Sequence, residues 1–160
     1  MKLIPLTRGQ SAIVDDADFD ELSKYKWCAM WAPRPRTFYA VRHSPMVGGK
    51  ARKSIMMHRQ LLGLTDPKIQ GDHKNHNGID NRRENIRAAT RSQNNMNRRG
   101  AQRNSKTGVR GIYPHRSGYQ SRIKVNGQTF HLGNFKTVPE AAAAYALANK
   151  HHFGEFGGGL

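Results

Sequence analysis

Residues 68–98, KIQGDHKNHNGIDNRRENIRAATRSQNNMNR, decide how this chain arranges its most reactive groups. KIQGDH is a short strand. KNHNGIDNRRE is a loop rich in Asn, Gly and Asp, residues that tolerate tight turns. NIRAAT is a second strand. Thr90-Arg91-Ser92-Gln93 has the form of a capping box, Thr90 as N-cap and Gln93 at N3, so a helix should start there. The order strand, loop, strand, helix gathers Asp72, His73, Asn85 and Asn94 around one point.

Those residue types suit hydrolysis of a phosphodiester. The reaction needs a base to deprotonate water, a cation to neutralise charge on the phosphate and leaving oxygen, and groups that orient the base. His73 has the pKa class for the first task. Asp72, where a strand end passes into a loop, offers a hard oxygen ligand for Mg²⁺, and Asn94 in the first helical turn offers a neutral one. Phosphate oxygens and water complete an octahedral shell. The Asn85 amide can hold the imidazole or the adjacent loop. Chemistry alone leaves a polar structural loop open, because Asn is also the ordinary residue of turns and helix starts.

Working outward, the chain carries 27 Lys/Arg against 11 Asp/Glu in 160 residues, a formal net charge of +16, and only 36% hydrophobic residues. Small modules with thin cores fit that composition. The charge is spread: ten Lys/Arg against five Asp/Glu over 1–56, ten against four over 57–104, and seven against two over 105–160. A surface basic along its length favours an extended polyanion over a small acidic substrate. The one cysteine, Cys28, excludes an intrachain disulfide and a multi-cysteine zinc site, and reads as an apolar filler between Trp27 and Trp31. No stretch approaches about 18 apolar residues and MKLIPLTRGQ has no signal-peptide core, so a soluble cytoplasmic protein is expected.

Residues 1–56 read as a β-rich opening segment. KLIPL and QSAIV are apolar runs, DDADFDELSKYKW is a helical turn with solvated acids at its start, and TFYAVRH (37–43) and ARKSIMMH (51–58) are strands. MHRQLLGL (57–64) is a short helix. Residues 99–107 are a basic linker, with Arg98, Arg99 and Arg103 placed to grip phosphate. In 108–160, YQSRIKV and QTFHL flank Asn126-Gly127, the strongest two-residue hairpin signal. That turn sets Lys124 opposite Thr129, Arg122 opposite His131 and Ile123 opposite Phe130. VRGIY (109–113) supplies a third strand and brings Arg110 near. Thr137 and Glu140 form a second capping box, ahead of the helix AAAAYALANKHHF.

Met57-His58-Arg59, Asp72-His73, Asn77-Gly78, Asp80-Asn81-Arg82, Glu84-Asn85-Ile86-Arg87, Asn94 and Asn97 together resemble the HNH endonuclease motif. The branch is that of phage free-standing and intron-encoded homing endonucleases. The resemblance implies a ββα-metal module over 57–98, with His73 as general base, Asp72 and Asn94 on one Mg²⁺ or Mn²⁺ ion, and Asn85 as the middle Asn. The last position is Asn rather than His, which leaves the metal weakly held. His58 matches a family position and is expected to pack beside the site. Residues 108–156 resemble the apetala-two/ethylene-response-factor DNA-binding domain at Gly108-Val109-Arg110-Gly111, Tyr119, Leu132-Gly133, Phe135, Glu140-Ala141-Ala142, Ala144-Tyr145 and Gly154. That implies a three-stranded antiparallel sheet on one helix, reading double-stranded DNA through Arg110, Arg122 and Lys124, with Tyr119, Gln120 and His131. Should Tyr119 be buried with Ile123, base contacts move to its neighbours.

The expectation is therefore an α+β, metal-dependent DNA endonuclease of phage homing type, monomeric or weakly dimeric. Nicking is natural for one site per monomer, and no zinc, membrane or small-molecule substrate is involved. The alternative is a DNA-binding protein without cleavage activity. RNA binding lacks a stacking pair of aromatics on the basic sheet.

Overall fold

A computed structural model describes residues 1–46, 48, 52–97, 100–101 and 104–157. The chain is α+β, with small antiparallel sheets, in two compact units, Met1–Arg91 and Ser92–Leu160. No helix among the described residues is long and apolar enough to cross a membrane.

The first unit opens with a hairpin of β1 (Lys2–Pro5) and β2 (Ser11–Val14), followed by α1 (Asp16–Ser23). Alternation along β1 and β2 turns Ile4, Ala12 and Val14 inward, where Leu22, Trp27, Ala40 and Met57 complete a core. A three-stranded sheet follows, ordered β3 (Cys28–Ala32), β4 (Thr37–His43), β5 (Ser54–Met56), and β5 runs straight into α2 (Met57–Leu61). Met57, wholly buried, ties α2 to the core of the opening segment. Next come β6 (Gln70–His73) and β7 (Ile86–Ala89), an antiparallel pair that sets Asp72 opposite Arg87 and His73 opposite Ile86.

The acids of residues 15–21 are more than a solvated helix start. The Asp15 carboxylate accepts from the Arg83 amide at 2.8 Å, and the Asp18 carboxylate takes the Arg83 guanidinium at 2.7 and 2.8 Å. Asp15 itself makes no side-chain cap on α1. Cys28 is only half-buried, facing Val41 across the sheet.

The second unit, which begins at Ser92 within α3 (Arg91–Met96), holds β8 (Ile112–His115), β9 (Gly118–Val125), β10 (Gln128–Phe135) and α4 (Val138–Phe153). The sheet order is β10-β9-β8. Asn126 (φ 49°) and Gly127 (φ 85°) make the left-handed turn, and the register is the one that turn predicts: Lys124 with Thr129, Ile123 with Phe130, Arg122 with His131. A bulge between His131 and Gly133 then shifts the pairing. Thr137 and Glu140 close a full capping box on α4. Ile112, Ile123, Ala141 and Tyr145 form the core.

The third strand departs from expectation. It starts at Ile112 rather than Val109, because Gly111 adopts φ +76° and a Cβ there would stand 2.2 Å from the Tyr145 ring. Arg110 thus precedes the strand instead of lying on it.

Candidate active site

β6 delivers Asp72 and His73 side by side, each about 5% exposed. Register accounts for the first contact. Arg87, directly across on β7, donates from Nε to Asp72 Oδ2 at 2.8 Å, and its Nη2 lies 2.8 Å from the same oxygen as an ion-pair contact without hydrogen-bond geometry. Both partners are nearly inaccessible, with side-chain exposures of 10% and 5%. Neither could be buried charged alone without a large desolvation penalty.

His73 lies among rings. Tyr39 of β4 is 5.6 Å away and His58 of α2 meets it edge-on at 4.8 Å. Gly71 makes this possible, since a Cβ there would fall 2.1 Å from His58 Cδ2. The imidazole Nε2 lies 3.3 Å from Asn81 Oδ1. With the Asn81 oxygen turned to the ring, Nε2 is the donor and Nδ1 keeps the lone pair; the opposite turn of the amide, which would give its buried and unpartnered Nδ2 an acceptor, reverses the two. Burial pushes His73 below the usual histidine range, against the opposing pull of Asn81 and the Asp72 carboxylate. The ring is therefore neutral at physiological pH, the state a general base needs.

The loop 74–85 is stapled by its own side chains. Asn85 Oδ1 accepts from the Asn75 amide at 3.0 Å and Asn85 Nδ2 donates to the Asp80 carbonyl at 2.7 Å. Of the two uses open to Asn85, it holds the loop. Asp80 accepts from Arg82 Nε and Nη2, each at 2.8 Å, and from Asn75 Nδ2 at 2.9 Å. Arg82 accordingly holds the Asp80 carboxyl below the usual carboxylate range. Backbone bonds at 2.8 Å, Ile13 amide to Ile79 carbonyl and Asn81 amide to Ile13 carbonyl, clip the loop to β2.

Burial pushes His58 down to about 3, with His73 and Arg59 adding to the shift. A group with a depressed folded pKa that is neutral when folded leaves stability intact above its unfolded value. Stability then erodes as pH falls from about 6.5 toward 3, by about 1.4 kcal/mol per pH unit for one such group. Urea unfolding of the wild type at pH 7, 6 and 5 should show that loss, and His58→Phe should flatten it. Equal slopes in both proteins would show that His58 does not set it.

Asn94 lies half-buried on α3, in the second unit. Among the described residues, no three His, Cys, Asp or Glu converge as a metal cage. On the sheet of the second unit, Arg122, Lys124 and His131 are exposed and Gln120 half-exposed on one face. Tyr119 points the other way, packed on the core with Ile123. The Arg110 guanidinium donates to the Met96 carbonyl at 3.0 Å. Arg98, Arg99 and Arg103 lie outside the described residues.

Sequence reasoning missed Asn81, Tyr39 and Tyr113. Tyr113 stands 52% exposed on the basic face, with the Arg122 guanidinium 5.7 Å from its ring. The available signal was alternation: Tyr113 pairs with Gln120 and so shares its face.

No family model matches the chain, and no solved structure does. Over 150 residues it is 30% identical to an uncharacterized HNH endonuclease of Acanthamoeba polyphaga mimivirus, covering 93% of this chain and 74% of that one. The chain belongs to the HNH endonuclease family. In this HNH protein the aligned span takes in nearly the whole chain, so the relationship extends beyond the residues around His73.

Proposed function

We propose that this HNH protein is a site-specific DNA endonuclease of the phage homing type, hydrolysing phosphodiester bonds with His73 as general base. The observation that carries the reading is the buried His73, its pKa lowered by burial and its Nε2 held 3.3 Å from Asn81 Oδ1. His73 takes the proton of a water molecule whose oxygen forms the new bond to phosphorus, as the bond to the leaving oxygen breaks. Asn85 keeps the loop, and with it Asn81, in place.

The HNH resemblance would assign one Mg²⁺ or Mn²⁺ ion to Asp72 and Asn94, whose carboxylate and amide oxygens are hard donors of the kind such an ion takes. Such an ion supplies charge neutralisation at the phosphate and at the leaving oxygen. Two protein donors make a weak site, and Arg87 already occupies Asp72 Oδ2. That ion pair is the one observation favouring a second reading, a DNA-binding protein without cleavage activity. The two separate in a supercoiled-plasmid assay with Mg²⁺ or Mn²⁺ against EDTA. Metal-dependent open circles support the nuclease, with nicking the outcome for a monomer and linear product for paired sites. Retained duplex binding without conversion supports the second reading.

The second unit supplies an apetala-two-like reader of double-stranded DNA. Arg122, Lys124, Gln120 and His131 share its open face, and Tyr113 takes the aromatic place that Tyr119 leaves. Arg122→Ala should weaken duplex binding by about 1–3 kcal/mol while plasmid nicking at saturating protein persists. Gel-shift titration checks the first and the plasmid assay the second. Unchanged affinity would remove Arg122 from the interface.

A further inference from the structure

From Leu22 to Thr65 the chain holds nine Lys or Arg and no Asp or Glu. Within that run is the β3–β4 turn, Pro33-Arg34-Pro35-Arg36, where both arginines face solvent. The two prolines fix the backbone between them and limit the freedom the arginines would lose on binding. Arg36 sits at φ +53°, a left-handed conformation that disfavours any side chain, yet the position carries a long cationic one. Beside the turn, Trp31 is 44% exposed and tilts against Phe38 at 4.9 Å, its direct partner across the strands.

The turn is fastened to the catalytic loop. The Gly78 amide donates to Thr37 Oγ1 at 3.0 Å, and Gly78 packs so closely that a Cβ would lie 2.5 Å from the Phe38 carbonyl oxygen. Three residues beyond Arg36, Tyr39 lies against His73. Arg36 precedes β4 and is three residues from Tyr39, so at a strand rise of about 3.4 Å per residue the two are at most about 10 Å apart along the chain, within roughly three base-pair steps of duplex.

We propose that the β3–β4 turn is a second duplex-DNA contact, gripping backbone phosphates within about three base pairs of the scissile bond through Arg34 and Arg36, with Trp31 against the sugars of the same strand. The inference rests on the endonuclease reading. Its occupant follows from charge complementarity and from the rigid tie between turn and catalytic loop. A solvated basic turn would share the charge but predicts no change in binding when it is removed.

The test uses the full chain carrying His73→Ala, in EDTA, so that no cleavage enters the measurement. Duplex affinity is followed against salt with and without Arg34→Ala/Arg36→Ala. Each phosphate contact contributes about 0.9 to the slope of log affinity against log salt. The double substitution should therefore lower the slope by about two and weaken binding about tenfold at 0.1 M salt, with the thermal midpoint unchanged. The chain has two tryptophans, Trp27 buried and Trp31 exposed, so duplex should alter the intrinsic fluorescence and Trp31→Phe should remove that change. An unaltered slope with affinity within twofold would overturn the proposal, as would duplex RNA competing as well as DNA. Failure of the wild type to nick plasmid would instead sink the endonuclease reading, and the salt slopes would be unaffected by it.

Discussion

His73→Ala should abolish plasmid nicking while duplex affinity stays within about twofold of wild type. A positioned general base contributes about 10²–10⁴ in rate, and here the same ring belongs to a fixed set, so the loss should lie at the upper end. Binding should survive because His73 is about 5% exposed and offers little surface to a ligand. Asn81→Leu provides the companion measurement. It removes the amide that faces Nε2 and with it one constraint on the imidazole, so nicking should fall less than in His73→Ala, with an altered pH profile. Nicking by His73→Ala at more than about a tenth of the wild-type rate would exclude His73 as the base.

The largest effect on stability is expected from Arg87→Ala. It removes the Arg87 guanidinium from a carboxylate about 5% exposed, and breaking a buried pair in this way costs about 3–5 kcal/mol. For a unit of this size that lowers the melting temperature by more than about 10 °C, readable from the fluorescence of Trp27 in the same unit's core. Replacing both partners, Asp72→Asn with Arg87→Met, should recover most of the loss, since no charge is then stranded. A cost under about 1 kcal/mol for Arg87→Ala would show that Asp72 does not depend on Arg87.

The sequence made legible what depends on short-range chemistry. Asn126-Gly127 fixed the β9–β10 register because two left-handed residues admit few hairpins, and Thr137 with Glu140 marked the start of α4 because a capping box satisfies specific amides. Asp72 and His73 at a strand end were legible for the same reason. The Asp72–Arg87 pair was not. It depends on the β6–β7 register across a long loop, which no turn type specifies. Nor could composition say which of the loop's amides turns inward: Asn75, Asn77, Asn81 and Asn85 are alike until the clip between Ile13 and the backbone of Ile79 and Asn81 selects Asn81 to face His73. The strand β3, CAMWA, was overlooked because a short run of small and apolar residues after KYKW shows no clear period. Arg110 was misplaced because the left-handed Gly111 interrupts a run whose side chains alone suit a strand.

The stapling of residues 74–85 bears on the speed of capture. A segment that must order itself around a polymer loses about 1–2 kcal/mol of backbone freedom per residue at the moment of encounter, and its association slows accordingly. Here Asn75, Asp80, Arg82 and Asn85 have already fixed the segment in the free protein. Meeting the polymer is then a collision problem rather than a folding problem. A molecule of net charge +16 is drawn toward a polyanion before it touches it, so its rate of arrival should be set by diffusion and ionic strength.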